Sequence, residues 1–151
     1  MTPANIDEAA PIMSRQERLI AAPLDRVWAA HVAVARWPRW QKDIQSAEIV
    51  GPLVVGGSFQ WRTTGIDDPI TSTVYAIEDR RRTLWGGPAA GIDGVHEWRF
   101  SQSEGATLVT TQESWAGDAL LSDVARWQEA LDTSLQRWLQ FMEEYVLSAT
   151  G

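Results

Sequence analysis

Leu120, Val124, Trp127, Leu131, Leu135, Trp138, Met142 and Val146 recur at steps of three and four residues through the end of the chain. At 3.6 residues per turn this spacing gathers them into one stripe on one side of an α-helix. Taken over residues 119–148, with Asp118 as its cap after Gly117, that helix is roughly 45 Å long at 1.5 Å per residue. A stripe of that length needs an apolar partner over several turns, and the remainder of the chain has to supply it.

The middle of the chain supplies a sheet. Short β-branched and aromatic runs alternate there with Gly, Pro and Asp clusters, which predicts antiparallel strands near 46–50, 58–64, 70–78, 83–87, 94–102 and 107–115. Ahead of them, 15–22 contributes a first strand. Pro23 then suits a first helical position and Asp25 favours the positive helix end, with Val27, Trp28, His31 and Val32 following at helical spacing. Trp37-Pro38 breaks this helix from a second short one, because the residue before proline is disfavoured in helical geometry. Arg80, Arg81 and Arg82 fall between two strands and read as a solvated turn. The arrangement is α+β: a curved antiparallel sheet of about seven strands wrapped around the long C-terminal helix, with two short helices after the first strand.

Composition narrows the function classes. At 151 residues the chain is one domain's worth, read as a flexible leader over 1–14 and a single domain over 15–151. A net charge of -7 argues against nucleic acid as a partner. The longest apolar run is far short of the roughly 20 residues of a membrane span. Zero cysteines exclude disulfides and thiolate chemistry and suit a reducing cytoplasm, where we expect the protein. No glycine-rich nucleotide loop, nucleophile elbow or His-Glu-x-x-His motif is present, so neither a cofactor nor a metal is expected. The anomaly is tryptophan, with 9 residues against 3 phenylalanines and 2 tyrosines.

Ala22-Pro23 leading to Val27-Trp28, then Trp37-Pro38-Arg39-Trp40, Gly51-Pro52-Leu53, Gly57 to Trp61, Leu84-Trp85, His96-Glu97-Trp98 and Glu113-Ser114-Trp115 together resemble the START/Bet v 1-like (SRPBCC) superfamily, in its polyketide cyclase/dehydrase-like branch. The resemblance runs from about Arg15 to Val146. It implies a helix-grip fold with a deep cavity between sheet and helix, used by relatives for lipids, sterols, plant hormones or polyketides. It does not imply one reaction.

Strand register selects the candidate chemistry. Alternation puts His96, Trp98 and Phe100 on one face, inward, and Val95, Glu97 and Arg99 on the other. With Glu104-Gly105 as a two-residue hairpin turn, Phe100 faces Val109, Trp98 faces Thr111 and His96 faces Glu113. A one-residue slip would separate these apolar sets, which supports the register. An inward His96 opposite Glu113 is either an acid/base pair or a buried polar pair that satisfies itself, supported by Thr111 or water. Trp40, Trp61, Trp85, Trp98, Trp115, Phe59 and Thr111 are the candidate ligand contacts, since an indole offers a rigid surface with one donor. Arg62 and Ser114 should point away from the cavity, and His31 reads as a satisfied, semi-buried side chain. Three functions stay open: binding of a small hydrophobic, aromatic or polyketide-like molecule; a cofactor-free cyclase/dehydratase using His96 and Glu113; and a protein-interaction module. The expected state is monomer or homodimer.

Overall fold

The computed structural model describes residues 2–148. Strand β1 (Ile12–Ile20) leads through Pro23 into helix α1 (Leu24–Val32) and a 3₁₀ segment (Val34–Arg39) that carries Pro38. Strands β2 (Ile44–Glu48), β3 (Ser58–Thr63), β4 (Ile70–Glu78), β5 (Arg82–Ala89), β6 (Ile92–Ser103) and β7 (Ala106–Ala116) follow. A second 3₁₀ segment (Asp118–Ser122) precedes helix α2 (Val124–Leu147). The seven strands form one sheet in the order β1-β7-β6-β5-β4-β3-β2, antiparallel throughout. Irregularities in β2 and β4 break its pairing register, the kind of bulge that bends a strand. The concave face grips α2, whose Leu131, Leu135, Trp138, Leu139, Met142 and Val146 are buried in it. This is an α+β helix-grip fold.

The β6–β7 hairpin has the expected register, with His96 opposite Glu113, Trp98 opposite Thr111 and Phe100 opposite Val109. Its turn residues Glu104 and Gly105 both have positive φ, 49° and 85°, the geometry that matches the twist of a two-residue hairpin. Between β5 and β6 the backbones come so close that a Cβ on Gly86 would lie 2.1 Å from the Gly94 carbonyl oxygen. Only glycine fits there.

Three sequence readings are corrected. The long helix begins at Val124 rather than near 119, and its cap is Asp123, whose side chain accepts from the Arg126 N–H at 3.2 Å; Asp118 opens the 3₁₀ segment with no side-chain cap bond. The stripe is unbroken in sequence but spans two elements, because the 3₁₀ turn swings Leu120 into the core while Val124 is left exposed. Of the three arginines read as a turn, Arg80 and Arg81 are in one, but Arg82 starts β5 and is buried against Glu97, with Nε 2.6 Å from Oε2. Glu97, on the convex face, is also buried. The reason is long-range: residues ahead of β1 are tied to that face, where the Ala4 carbonyl accepts from Arg82 and the Asp7 N–H donates to Ser114 Oγ. Strand β1 itself starts at Ile12, inside the stretch read as leader.

Candidate functional site

A cavity of about 410 Å³ lies between the concave sheet and α2. Five indoles line it: Trp61 from β3, Trp85 from β5, Trp115 from β7, and Trp127 and Trp138 from α2. His96 and Glu113 line it from neighbouring strands, and Gly87 and Gly94, on the same sheet face as Trp85 and His96, add no side chain to it. The loop after β3, the β5–β6 hairpin and Arg126 at the start of α2 frame the mouth. Arg126 lies over the Trp127 ring, 5.7 Å from its centre.

Five of the predicted contacts therefore meet at one space: Trp61, Trp85, Trp115, His96 and Glu113. Trp40, Phe59, Trp98 and Thr111 do not line it. Trp98 is fully buried between His31 and His96, with ring centres 4.9 and 5.2 Å away. Phe59 sits against Trp37 and Trp85, and Trp40 against Trp138 and Tyr145. Facing inward is not the same as facing the cavity, because α1 and the first 3₁₀ segment fill one part of the grip with their own aromatic side chains. Thr111 is behind His96, bonded to it. Trp127 and Trp138 were not among the predicted contacts, although both belong to the stripe and so had to face the sheet.

The polar group of the wall is built from two adjacent strands. His96 Nδ1 is 3.3 Å from Glu113 Oε1, and His96 Nε2 is 2.7 Å from Thr111 Oγ1. The Trp115 indole N–H donates to Glu113 Oε2 at 2.8 Å. Burial pushes the Glu113 carboxyl up to about 7, with the Trp115 hydrogen bond opposing the shift. Burial drives His96 well below its ordinary value, and His31 adds to this. His31 itself is lowered by burial to about 3, and its Nε2 lies 2.7 Å from Thr83 Oγ1. The cavity thus holds a carboxyl group poised near neutrality beside an imidazole held neutral, a combination able to exchange a proton with a bound molecule. Among the described residues no three His, Cys, Asp or Glu side chains are placed to hold a metal, and no helix is long and apolar enough to cross a membrane.

Residues 12–146 match the family described as polyketide cyclase / dehydrase and lipid transport. The chain belongs to that family. Among solved structures, a hypothetical protein from Helicobacter pylori superposes with a TM-score of 0.78 at 18% identity, covering 97% of this chain and 99% of that one. A START superfamily protein from Mycobacterium smegmatis gives 0.73 at 11% identity, covering 89% and 96%. A protein of the dynemicin biosynthetic locus gives 0.69 at 20% identity, covering 89% of this chain and 46% of its own. A search of curated proteins finds no match. At these identities the solved structures share the fold of this chain.

The shifted groups give this family member a pH signature. A raised Glu113 keeps its proton in the folded state where the unfolded chain releases it, so its contribution is present below the ordinary carboxylate range and lost as pH rises through about 7. His31 and His96 behave oppositely, contributing stability above their ordinary value of 6.5 that is lost as pH falls. Between about pH 5 and 6 the two histidines oppose the one carboxyl. Replacing Glu113 by Gln removes the opposing contribution, so acidification across this range should cost the variant about 1.4 kcal/mol per pH unit more than the wild type. Urea denaturation of both proteins at several pH values measures the difference, and parallel curves would rule out a raised Glu113.

Proposed function

We propose that this protein binds a small, flat hydrophobic molecule, aromatic or polyketide-like, between its sheet and long helix. The observation that carries this reading is the 410 Å³ cavity itself, which is of ligand size and walled by five indoles around one polar pair. Tryptophan presents a broad, rigid face that loses little entropy on contact, which suits a planar molecule. Lack of cysteine is compatible with a cytoplasmic site of action, which we adopt.

Native mass spectrometry of gently purified protein should reveal a co-purifying molecule, and titration with flavone as a flat probe should quench tryptophan fluorescence. Gly94→Leu supplies the control. A Cβ there meets Trp115 at 3.5 Å and Glu113 Oε2 at 3.6 Å, ordinary contacts, so the longer side chain grows into the cavity. We expect flavone to bind this variant roughly tenfold or more weakly, with an unchanged melting temperature. Equal binding to both proteins would place the probe elsewhere and remove the basis of the proposal.

A second reading, a cyclase or dehydratase using His96 and Glu113, is favoured by one observation: the carboxyl near neutrality lies in the cavity wall. A catalytic Glu113 predicts a loss of about 10²-fold or more in turnover for Glu113→Gln, with affinity little changed.

A further inference from the structure

We infer that Glu113, and not His96, is the proton-carrying group of the cavity, and that it presents an acceptor oxygen to a hydroxyl group on a neutral aromatic ligand. The inference rests on the cavity-binding reading. Its first half rests on an assignment of hydrogens along one chain of contacts. The Thr111 hydroxyl has a single hydrogen, and the Glu97 carbonyl, 3.1 Å from Oγ1, is placed to accept it. With the hydroxyl turned to that carbonyl, its oxygen accepts from His96 and we assign the imidazole hydrogen to Nε2, 2.7 Å away. A neutral imidazole with Nε2–H has a bare Nδ1, and this lone pair lies 3.3 Å from Glu113 Oε1. Two lone pairs at that separation repel, whereas a carboxyl hydrogen on Oε1 turns the contact into an attraction. Thr111 acts as a positioning residue, holding the tautomer that keeps Glu113 protonated.

What this leaves for a ligand follows from the same assignment. Glu113 is the more open of the pair, 16% exposed against 3% for the His96 side chain. Its hydrogen is turned toward His96, and Oε2 accepts from Trp115 while retaining room for a second donor. The wall therefore offers an acceptor at this point, which suits a hydroxyl and rejects a carboxylate. Other ionisable groups on neighbouring elements are engaged elsewhere. Asp132 on α2 accepts from Ser14, the residue beside Glu113 on β1, and from Gln128. Arg126 lies over Trp127 at the mouth, and His31 is bonded to Thr83 on the far side of Trp98.

The first half is tested without any ligand, by NMR on protein labelled at the Glu carboxyl carbon and the His ring nitrogens. Wild type should show one carboxyl titrating near pH 7 that is missing in Glu113→Gln, with His96 protonated on Nε2 alone. Thr111→Val frees the tautomer, so Nδ1–H can donate to a Glu113 carboxylate and the midpoint should fall by about one pH unit or more. Thr111→Ser should restore it. Hydrogen on Nδ1 in the wild type, or Glu113 titrating in the ordinary carboxylate range, overturns the assignment.

The second half uses 2-naphthol, 2-methoxynaphthalene and 2-naphthoate in fluorescence titrations from pH 6 to 8. We expect 2-naphthol to bind roughly tenfold more tightly than its methyl ether, the ratio widening as Glu113 ionises, and 2-naphthoate to bind most weakly. Glu113→Gln should lose the pH dependence of the ratio. Equal affinity for all three overturns the donor requirement and leaves cavity binding standing. Binding of none of them overturns cavity binding, and the ligand half of the inference with it.

Discussion

Truncating Trp138 to alanine is expected to lower the free energy of unfolding by about 3 to 5 kcal/mol, the range for a large aromatic removed from a packed core. The side chain is 4% exposed and its ring centre lies 5.2 Å from that of Trp37, 5.5 Å from Trp98 and 5.8 Å from Trp40. It is also a wall of the cavity, so its loss joins a void in the core to the binding space. Trp138→Phe keeps the edge-to-face packing and should recover a large part of the stability. Denaturant midpoints for both variants decide the matter: a loss under about 1 kcal/mol in the alanine variant would mean that the sheet and helix close without this side chain.

The second large effect is on the convex face, away from the cavity. Glu97 accepts from Arg82 Nε at 2.6 Å, Gln112 Nε2 at 2.8 Å and Arg99 Nε at 3.0 Å. Burial alone would raise its carboxyl, but the hydrogen bonds from Arg82, Arg99 and Gln112 outweigh burial and hold it below the ordinary value. Glu97→Ala leaves the buried Arg82 guanidinium without its main partner, and a loss of about 3 to 5 kcal/mol is expected. Replacing the pair together, Arg82→Met with Glu97→Leu, removes both charges and should come within about 1 kcal/mol of the wild type. If the double variant were as unstable as the single one, the effect would come from packing and not from an unpaired charge.

The pattern of elements was legible in the sequence because it depends on local rules. Helical spacing places the C-terminal stripe, and strand alternation with the Glu104-Gly105 turn places His96 opposite Glu113 without recourse to any tertiary contact. The position of the helix start was less secure, since Asp118 and Asp123 are both capable caps and only the burial of Leu120 in a 3₁₀ turn selects the second.

Which inward residues meet a ligand was beyond local reading. Trp85 and Trp98 belong to the same concave face, yet one lines the cavity and the other is sealed between two histidines, because α1 packs over only part of the sheet. Glu97 shows the same division on the other side: alternation correctly turned it away from the cavity, but its burial comes from a segment some ninety residues earlier. Periodicity and turn chemistry act over a few residues, so the sequence alone determined the elements, their faces and the pairing of His96 with Glu113. The emptiness of one part of the grip, the protonation of its carboxyl and the ion pair behind it depend on how distant segments exclude water, and only the tertiary structure decided them.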